Sequence, residues 1–191
     1  AKTTKREQIF PPNTPFNLTS LQMESYKFHG LTPAQTLRVA QSLYLSGVIS
    51  YPRTSSQQLP ESIDYKSILK KLAKKYNVES LIKRQKPIQG KKSDPAHPSI
   101  YPTGQNPSAL STDEEKIYNL IVKRFLALFC ENAIVDNKTI SVTTDKLTFS
   151  ARGSSIRKKA WMEIYPVKLK EQELPDIEGE VKIINVRTEE K

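Results

Sequence analysis

The sequence predicts an α+β protein in which a helical block precedes a β block. Two observations carry this reading. Capping signals at Thr19, Thr32 and Thr112 each open a run whose apolar residues recur at helical spacing. After Ala133 the apolar period falls to two, the mark of half-buried strands. With 191 residues, 37% of them hydrophobic, the chain can bury a core in one medium domain or two small ones. The expected division is a first strand and connector over residues 1–14, a helical domain over 15–133 and a β domain over 134–191. The first strand is expected to pair back into the β domain.

Each element has its own signal. Residues 1–18 are basic and then punctuated by Pro11, Pro12 and Pro15, which reads as a strand followed by an extended connector. In Thr19-Ser20-Leu21-Gln22 a hydroxyl and an amide three residues apart can satisfy orphan backbone N–H groups, so a short helix starts there. It runs to about Phe28 and stops at Gly30. Thr32-Pro33-Ala34-Gln35 repeats the signature with proline at the first helical position. Leu37, Ala40, Leu43 and Tyr44 supply that helix's apolar face, and Gly47 its stop. Two capped helices joined by a tight glycine turn resemble the helix pairs of winged-helix and helix-turn-helix folds.

Downstream, Tyr65, Ile68, Leu69, Leu72 and Tyr76 form a stripe on a third helix whose other face carries Lys66, Lys70, Lys71, Lys74 and Lys75. Residues 85–110 are rich in Pro, Gly, Ser and Lys and read as loop. Thr112 caps a longer helix with Asp113, Glu114 and Glu115 at its electropositive end. Its core face is Ile117, Leu120, Ile121, Phe125 and Leu128. TISVTT, KLTFSAR, AWMEIYPV and EVKIINV then alternate like strands, with turns expected at Thr144-Asp145 and Gly153-Ser154. The sequence opens on Ala1 and closes on a strand-like pattern with no closing element, as expected of a piece of a longer chain.

Thirty Lys and Arg against 20 Asp and Glu leave a net charge of +10. Such a surplus points to a polyanionic partner, nucleic acid first, with ribosomal RNA and an anionic membrane surface as competitors. Between Glu61 and Ile100 ten bases face four acids, a net of +6. That segment is either a solvated helix face or an electrostatic rail for a nucleic-acid backbone. A single cysteine, Cys130, excludes an internal disulfide and fits a reducing compartment. It closes the apolar run LIVKRFLALFC, so it reads as a buried thiol and not a nucleophile. No apolar stretch reaches the length of a membrane span, and no signal segment opens the chain.

The chemistry concentrates in SGVISYPRTSS, residues 46–56. A residue before proline is pushed towards extended geometry, and in an extended chain positions i and i+2 project to the same side. Tyr51 and Arg53, flanking Pro52, can therefore present a phenol and a guanidinium to one object. The guanidinium fork matches phosphate oxygens. A phenol of ordinary pKa near ~10 is a poor nucleophile at neutral pH. A neighbouring cation and phosphate contacts can steer it into a covalent tyrosyl-phosphate. Thr54, Ser55 and Ser56 add hydroxyls of the kind that bind sugar-phosphate. The plain alternative is an exposed turn without chemistry. A second unusual stretch, DPAHPSIYPTG at residues 94–104, places His97 in a proline-rich loop and not on an apolar face. Its imidazole can donate to a phosphate or shuttle a proton, or simply make a structural hydrogen bond.

SLYLSGVISYPRTSSQQLP resembles the active-site signature of type IA DNA topoisomerases, particularly the archaeal branch. PFNLTSLQ before it and AHPSIYPTG after it are similar to flanking motifs of that family, in the same order. SVTTDKLTFSARG and WMEIYP resemble strands of the family's arch. The likeness runs over most of the chain. It implies a winged-helix-like domain bearing the tyrosine, and a small β domain that is part of the arch. Tyr51 would attack a DNA phosphodiester and keep a 5′-phosphotyrosine while the 3′-hydroxyl leaves. Arg53 would hold the scissile phosphate, and His97 would contact phosphate near the cut. Gln41, Thr54 and Ser55 would line the DNA-facing surface. Bacterial members commonly carry aspartate at the position of Ser55, an acidic residue at Leu45 and glutamate at Pro98, so no role tied to those carboxylates transfers.

The resemblance also implies partners outside the chain. The family uses an acidic toprim domain that binds magnesium through a glutamate and an Asp-x-Asp run. No Asp-x-Asp occurs here, and no Gly-rich phosphate cradle or zinc-type Cys spacing either. The expectation is a monomeric fragment with the nucleophile half of a site, inactive alone, acting on single-stranded DNA in a cytoplasmic, nucleoid-associated enzyme. Mg2+ would be bound elsewhere in the parent. The competing reading is a non-enzymatic winged-helix nucleic-acid-binding module in which Tyr51 stacks on a base.

Overall fold

A computed structural model describes residues 1–144, 147–182 and 185. Among the described residues the architecture is α+β, with four α-helices, two short 3-10 turns and one three-stranded antiparallel sheet. Two compact units share the chain. One holds Ala1–Phe10, Ala133–Lys159 and the described residues from Lys168 onward; the other holds Pro11–Asn132 and Ala160–Val167. No helix of the described residues is long and apolar enough to cross a membrane.

The β unit is built from β1 (Lys2–Phe10), β2 (Ala133–Thr144) and β3 (Leu147–Lys158), in the order β1-β2-β3. β1 does pair back, from Lys2 opposite Ser141 to Phe10 opposite Ala133. Gly153-Ser154 is not a turn. β3 runs straight through it, opposite Lys138 and Asn137. The glycine is needed for another reason: a Cβ there would lie 2.3 Å from the carbonyl oxygen of Gln172. That close approach lets Ser154 and Gln172 exchange two backbone hydrogen bonds of 2.9 Å. Asp145 of the turn expected at Thr144-Asp145 lies outside the described residues, as do Ile183, Ile184 and Val186 of EVKIINV; the described residues of that stretch, Glu180, Val181, Lys182 and Asn185, are in no strand.

In the helical unit, α1 (Leu18–His29) and α2 (Pro33–Leu45) are joined by Gly30, which sits in the left-handed region at φ 69°. The α1 cap is Asn17 and not Thr19; its side chain accepts from Ser20 N–H, and the Ser20 hydroxyl answers. For α2 the capping box of Thr32 and Gln35 forms as expected. α3 spans Tyr65–Lys75 with its five lysines exposed, and α4 spans Thr112–Ala127, capped by Ser111 one residue early. Ile117, Leu120, Ile121, Phe125 and Leu128 of the α4 region are all buried.

AWMEIYPV is no strand. Ala160–Glu163 form a 3-10 turn, and beside Ala160 the buried residues are Trp161, Ile164 and Tyr165, spaced i, i+3, i+4. Tyr165 enters the helical core and meets Arg124. That guanidinium lies between the rings of Phe16 and Tyr165, 4.2 Å from each centroid. It donates to the Tyr165 hydroxyl at 2.8 Å and to the Thr14 carbonyl at 3.3 Å. The Tyr165 hydroxyl in turn donates to Glu24 at 3.0 Å. A buried charge is tolerated here because stacking, hydrogen bonds and a carboxylate 3.6 Å away all meet it. Burial also pushes the Cys130 thiol up to about 12, as suits an inert core cysteine.

Candidate active site

Three extended segments of the helical unit lie side by side. α2 ends at Ser46, and Gly47 turns the chain at φ 78°. The next residues, Val48 and Ile49, are buried and run antiparallel to residues 100–103. Ser50 N–H donates to Tyr101 O at 2.9 Å, and Thr103 N–H donates to Val48 O at 3.0 Å. The Ser50 hydroxyl accepts from Tyr101 N–H at 3.0 Å and donates to Ser99 O at 3.1 Å. On the other flank, Leu18 N–H donates to Thr54 O at 3.0 Å. The Asn17 amide that caps α1 also donates to Ser55 O at 3.2 Å. The third pairing joins the outer segments, Ile100 N–H to Phe16 O at 2.7 Å.

Held this way, the strand alternates. Pro52, Thr54 and Ser56 are buried, Tyr51 is half-buried, and Arg53 and Ser55 are exposed. The chain bends at Pro52 and Arg53, between the half-buried phenol and the exposed guanidinium. Among the described residues no hydrogen bond uses the Tyr51 hydroxyl, and no ion pair or hydrogen bond engages the Arg53 guanidinium.

The Tyr51 ring is fixed by two others. The Tyr44 ring meets it edge-on at 5.3 Å and 73°, and the exposed His97 ring lies 4.6 Å away at 45°. The edge-to-face contact with Tyr44 is of the kind that contributes about 0.5–1.5 kcal/mol beyond buried area. His97 reaches Tyr51 because its loop is closed by Asp94, whose carboxylate accepts the N–H groups of Ala96 and His97 at 2.9 and 3.2 Å. The other oxygen accepts the Ser55 hydroxyl at 3.2 Å. The Ala96 N–H first, with help from His97 and Ser55, holds this carboxyl below the usual carboxylate range.

The structure therefore brings Tyr51, His97 and Ser55 together, with Arg53 on the same strand. Thr54 is 4% exposed; its hydroxyl donates to His97 O at 3.4 Å and accepts Ser56 N–H at 3.0 Å, so it braces the loop. Gln41 lies one turn before Tyr44 on α2; its Oε1 is buried with no partner among the described residues. Sequence reasoning missed two residues. Tyr44 was placed on the core face by its helical spacing, yet it is 37% exposed and lies against Tyr51. Asp94 carries no sequence signal beyond its place three residues before His97. Arg84, counted within the basic rail, is committed elsewhere: it donates to Cys130 O and Asn132 at 2.8 and 2.7 Å. Among the described residues no cluster of three His, Cys, Asp or Glu can hold a metal ion.

A phenol held at an exposed edge beside a histidine and an arginine is equipped for chemistry on a phosphodiester. Comparison with known proteins gives the class. A family model described as DNA topoisomerase matches residues 1–191. DNA topoisomerase 1 of Methanothermobacter thermautotrophicus is 46% identical over 179 residues, covering 91% of this chain and 25% of that protein. The Pyrococcus horikoshii DNA topoisomerase 1 is 43% identical over 199 residues, covering 98% and 29%. Full-length topoisomerase I from Thermotoga maritima shares the fold with a TM-score of 0.72 at 24% identity, over 94% of this chain and 31% of that one. The chain belongs to the type IA DNA topoisomerase family. It spans a quarter to under a third of the length of these relatives.

Proposed function

We propose that this chain carries the nucleophile of a type IA topoisomerase, and that Tyr51 cuts and rejoins a single DNA strand. The observation that carries the reading is the placement of Tyr51, its ring held by Tyr44 and His97 while its hydroxyl stays unengaged. The phenol oxygen attacks phosphorus, the P–O3′ bond breaks, the phenol gives up its proton and the departing 3′-oxygen takes one. The product is a 5′-phosphotyrosine; attack by the 3′-hydroxyl reverses every step. Because the phosphodiester is exchanged and not hydrolysed, relaxation of negative supercoils needs no nucleotide. Arg53 binds the phosphate bidentately, and His97 contacts it from the neighbouring loop. Gln41 and Ser55 face the strand from either side.

The winged-helix character of the helical unit and the place of the β unit in the arch belong to the same proposal. So does dependence on a toprim domain outside these residues, where magnesium would be held; no step above is routed through the metal. In the full-length protein, Tyr51→Phe is expected to abolish the covalent adduct with single-stranded DNA while leaving binding intact. Adduct formation by that variant would refute the assignment. A pure binding module in which Tyr51 stacks on a base would tolerate the loss of the hydroxyl. The isolated 191-residue chain with magnesium is expected not to relax a supercoiled plasmid.

A further inference from the structure

Asp94 bridges the two segments that carry His97 and Tyr51. Its two carboxylate oxygens serve different segments of backbone. Oδ1 accepts the N–H groups of Ala96 and His97 at 2.9 and 3.2 Å, closing the loop that carries the imidazole. Oδ2 accepts the Ser55 hydroxyl at 3.2 Å and, more weakly, the Ser55 N–H at 3.5 Å, on the strand that carries Tyr51 and Arg53. Among the described residues no lysine or arginine pairs with this carboxylate, and neutral donors hold it. A negative charge this close to a phosphate-binding edge works against DNA binding. Its presence needs a compensating function, and the geometry supplies one.

We infer that Asp94 is a positioning residue for the transesterification, fixing the spacing between the His97 ring and the Tyr51–Arg53 edge by bridging loop and strand. This rests on the reading of Tyr51 as the nucleophile. The His97 ring sits 4.6 Å from Tyr51 by virtue of its loop. The Ser50 hydroxyl ties that loop to the tyrosine segment beyond His97, the Thr54 hydroxyl ties it at His97 O at 3.4 Å, and the ties before His97 from side chains run through Asp94. A slip of about 1 Å between groups that must meet one phosphate can cost on the order of 100-fold in rate.

The test uses the full-length protein and an end-labelled single-stranded oligonucleotide, with adduct formation in a single turnover and DNA affinity measured separately. Asp94→Ala is expected to slow adduct formation by about 10-fold to 100-fold with the dissociation constant nearly unchanged; Ser55→Ala, at a residue that also faces the strand, is expected to slow it comparably whatever its effect on affinity. The reciprocal exchange, Ser55→Asp together with Asp94→Ser, moves the carboxylate to the strand and the hydroxyl to the loop. A serine hydroxyl can accept the same N–H groups two and three residues on. The exchange is expected to recover most of the lost rate. Single variants that react at the parental rate would overturn the inference. So would an exchange as slow as Asp94→Ala, or an Asp94→Ala loss that follows a weaker dissociation constant or a lowered melting temperature. Tyr51→Phe in the same assay separates the two claims: if it still forms an adduct, the nucleophile assignment falls, whatever Asp94 does.

Discussion

At the scale of single residues, the Tyr51 environment makes Tyr44 the most informative neighbour. Its edge contact at 5.3 Å needs a ring and no hydroxyl. Tyr44→Phe is therefore expected to keep the cleavage rate, whereas Tyr44→Ala lowers it by about tenfold through loss of ring alignment; a single-turnover assay distinguishes them. Arg124 gives the corresponding stability prediction. Truncation to alanine leaves Glu24 and the Tyr165 hydroxyl without their cation and opens a gap between two rings. A loss of about 3 kcal/mol or more is expected in urea unfolding, the scale of breaking a buried pair from one side. Arg124 was not legible as a core residue in the sequence, because a charged side chain at a helical position reads as surface until its partners, 110 and 41 residues away, are known.

At the scale of elements, local signals were readable to within a residue or two. The Thr32 box, the Gly30 stop and the core face of α4 formed as written. The α1 cap moved from Thr19 to Asn17 because Asn17 has a second task, the bond to Ser55 O that ties the helix start to the tyrosine strand. Asn17→Ala is accordingly expected to cost about 0.5–2 kcal/mol, the usual range for a lost cap, and to raise hydrogen exchange in residues 54–56 as well as in α1. Two misreadings share one cause. Gly153 looked like a turn, and WMEIYP looked like a strand, because each answers to a tertiary partner: the Gln172 backbone in one case, the Arg124 pocket in the other. Of the site, Tyr51, Arg53 and His97 were visible as residue types in unusual settings. Tyr44 and Asp94 were not, since ring contact and a two-sided carboxylate are facts of folding and leave no spacing to read.

At the scale of the whole molecule, charge governs both binding and acid stability. The lysine face of α3 is exposed, so replacing Lys70 and Lys74 by alanine is expected to weaken DNA binding for all sequences alike. The salt dependence of binding should flatten by about one unit of slope per lysine that touches phosphate. An unchanged slope would assign that face to solvent. Several carboxyls sit below their usual range: Glu114 through the Ser42 hydroxyl first, Asp94 through Ala96 N–H, and Asp176, at about 2, through Lys138 and Lys5. A depressed folded-state pKa adds stability that is complete above the unfolded value near ~4 and disappears as pH falls through the folded one. The melting temperature is thus expected to hold level from neutral pH down to about 5 and to drop steadily towards about 2.

The pairing of β1 with β2 sets a schedule for synthesis. Phe10 leaves the ribosome 123 residues before its neighbour Ala133 exists, the whole of Pro11–Asn132 intervening. At roughly 5–20 residues per second that wait lasts about 6–25 s, during which β1 is without β2. Lys2, Lys5 and Arg6 suit that interval, because like charges on a solitary edge discourage two nascent chains from joining through it.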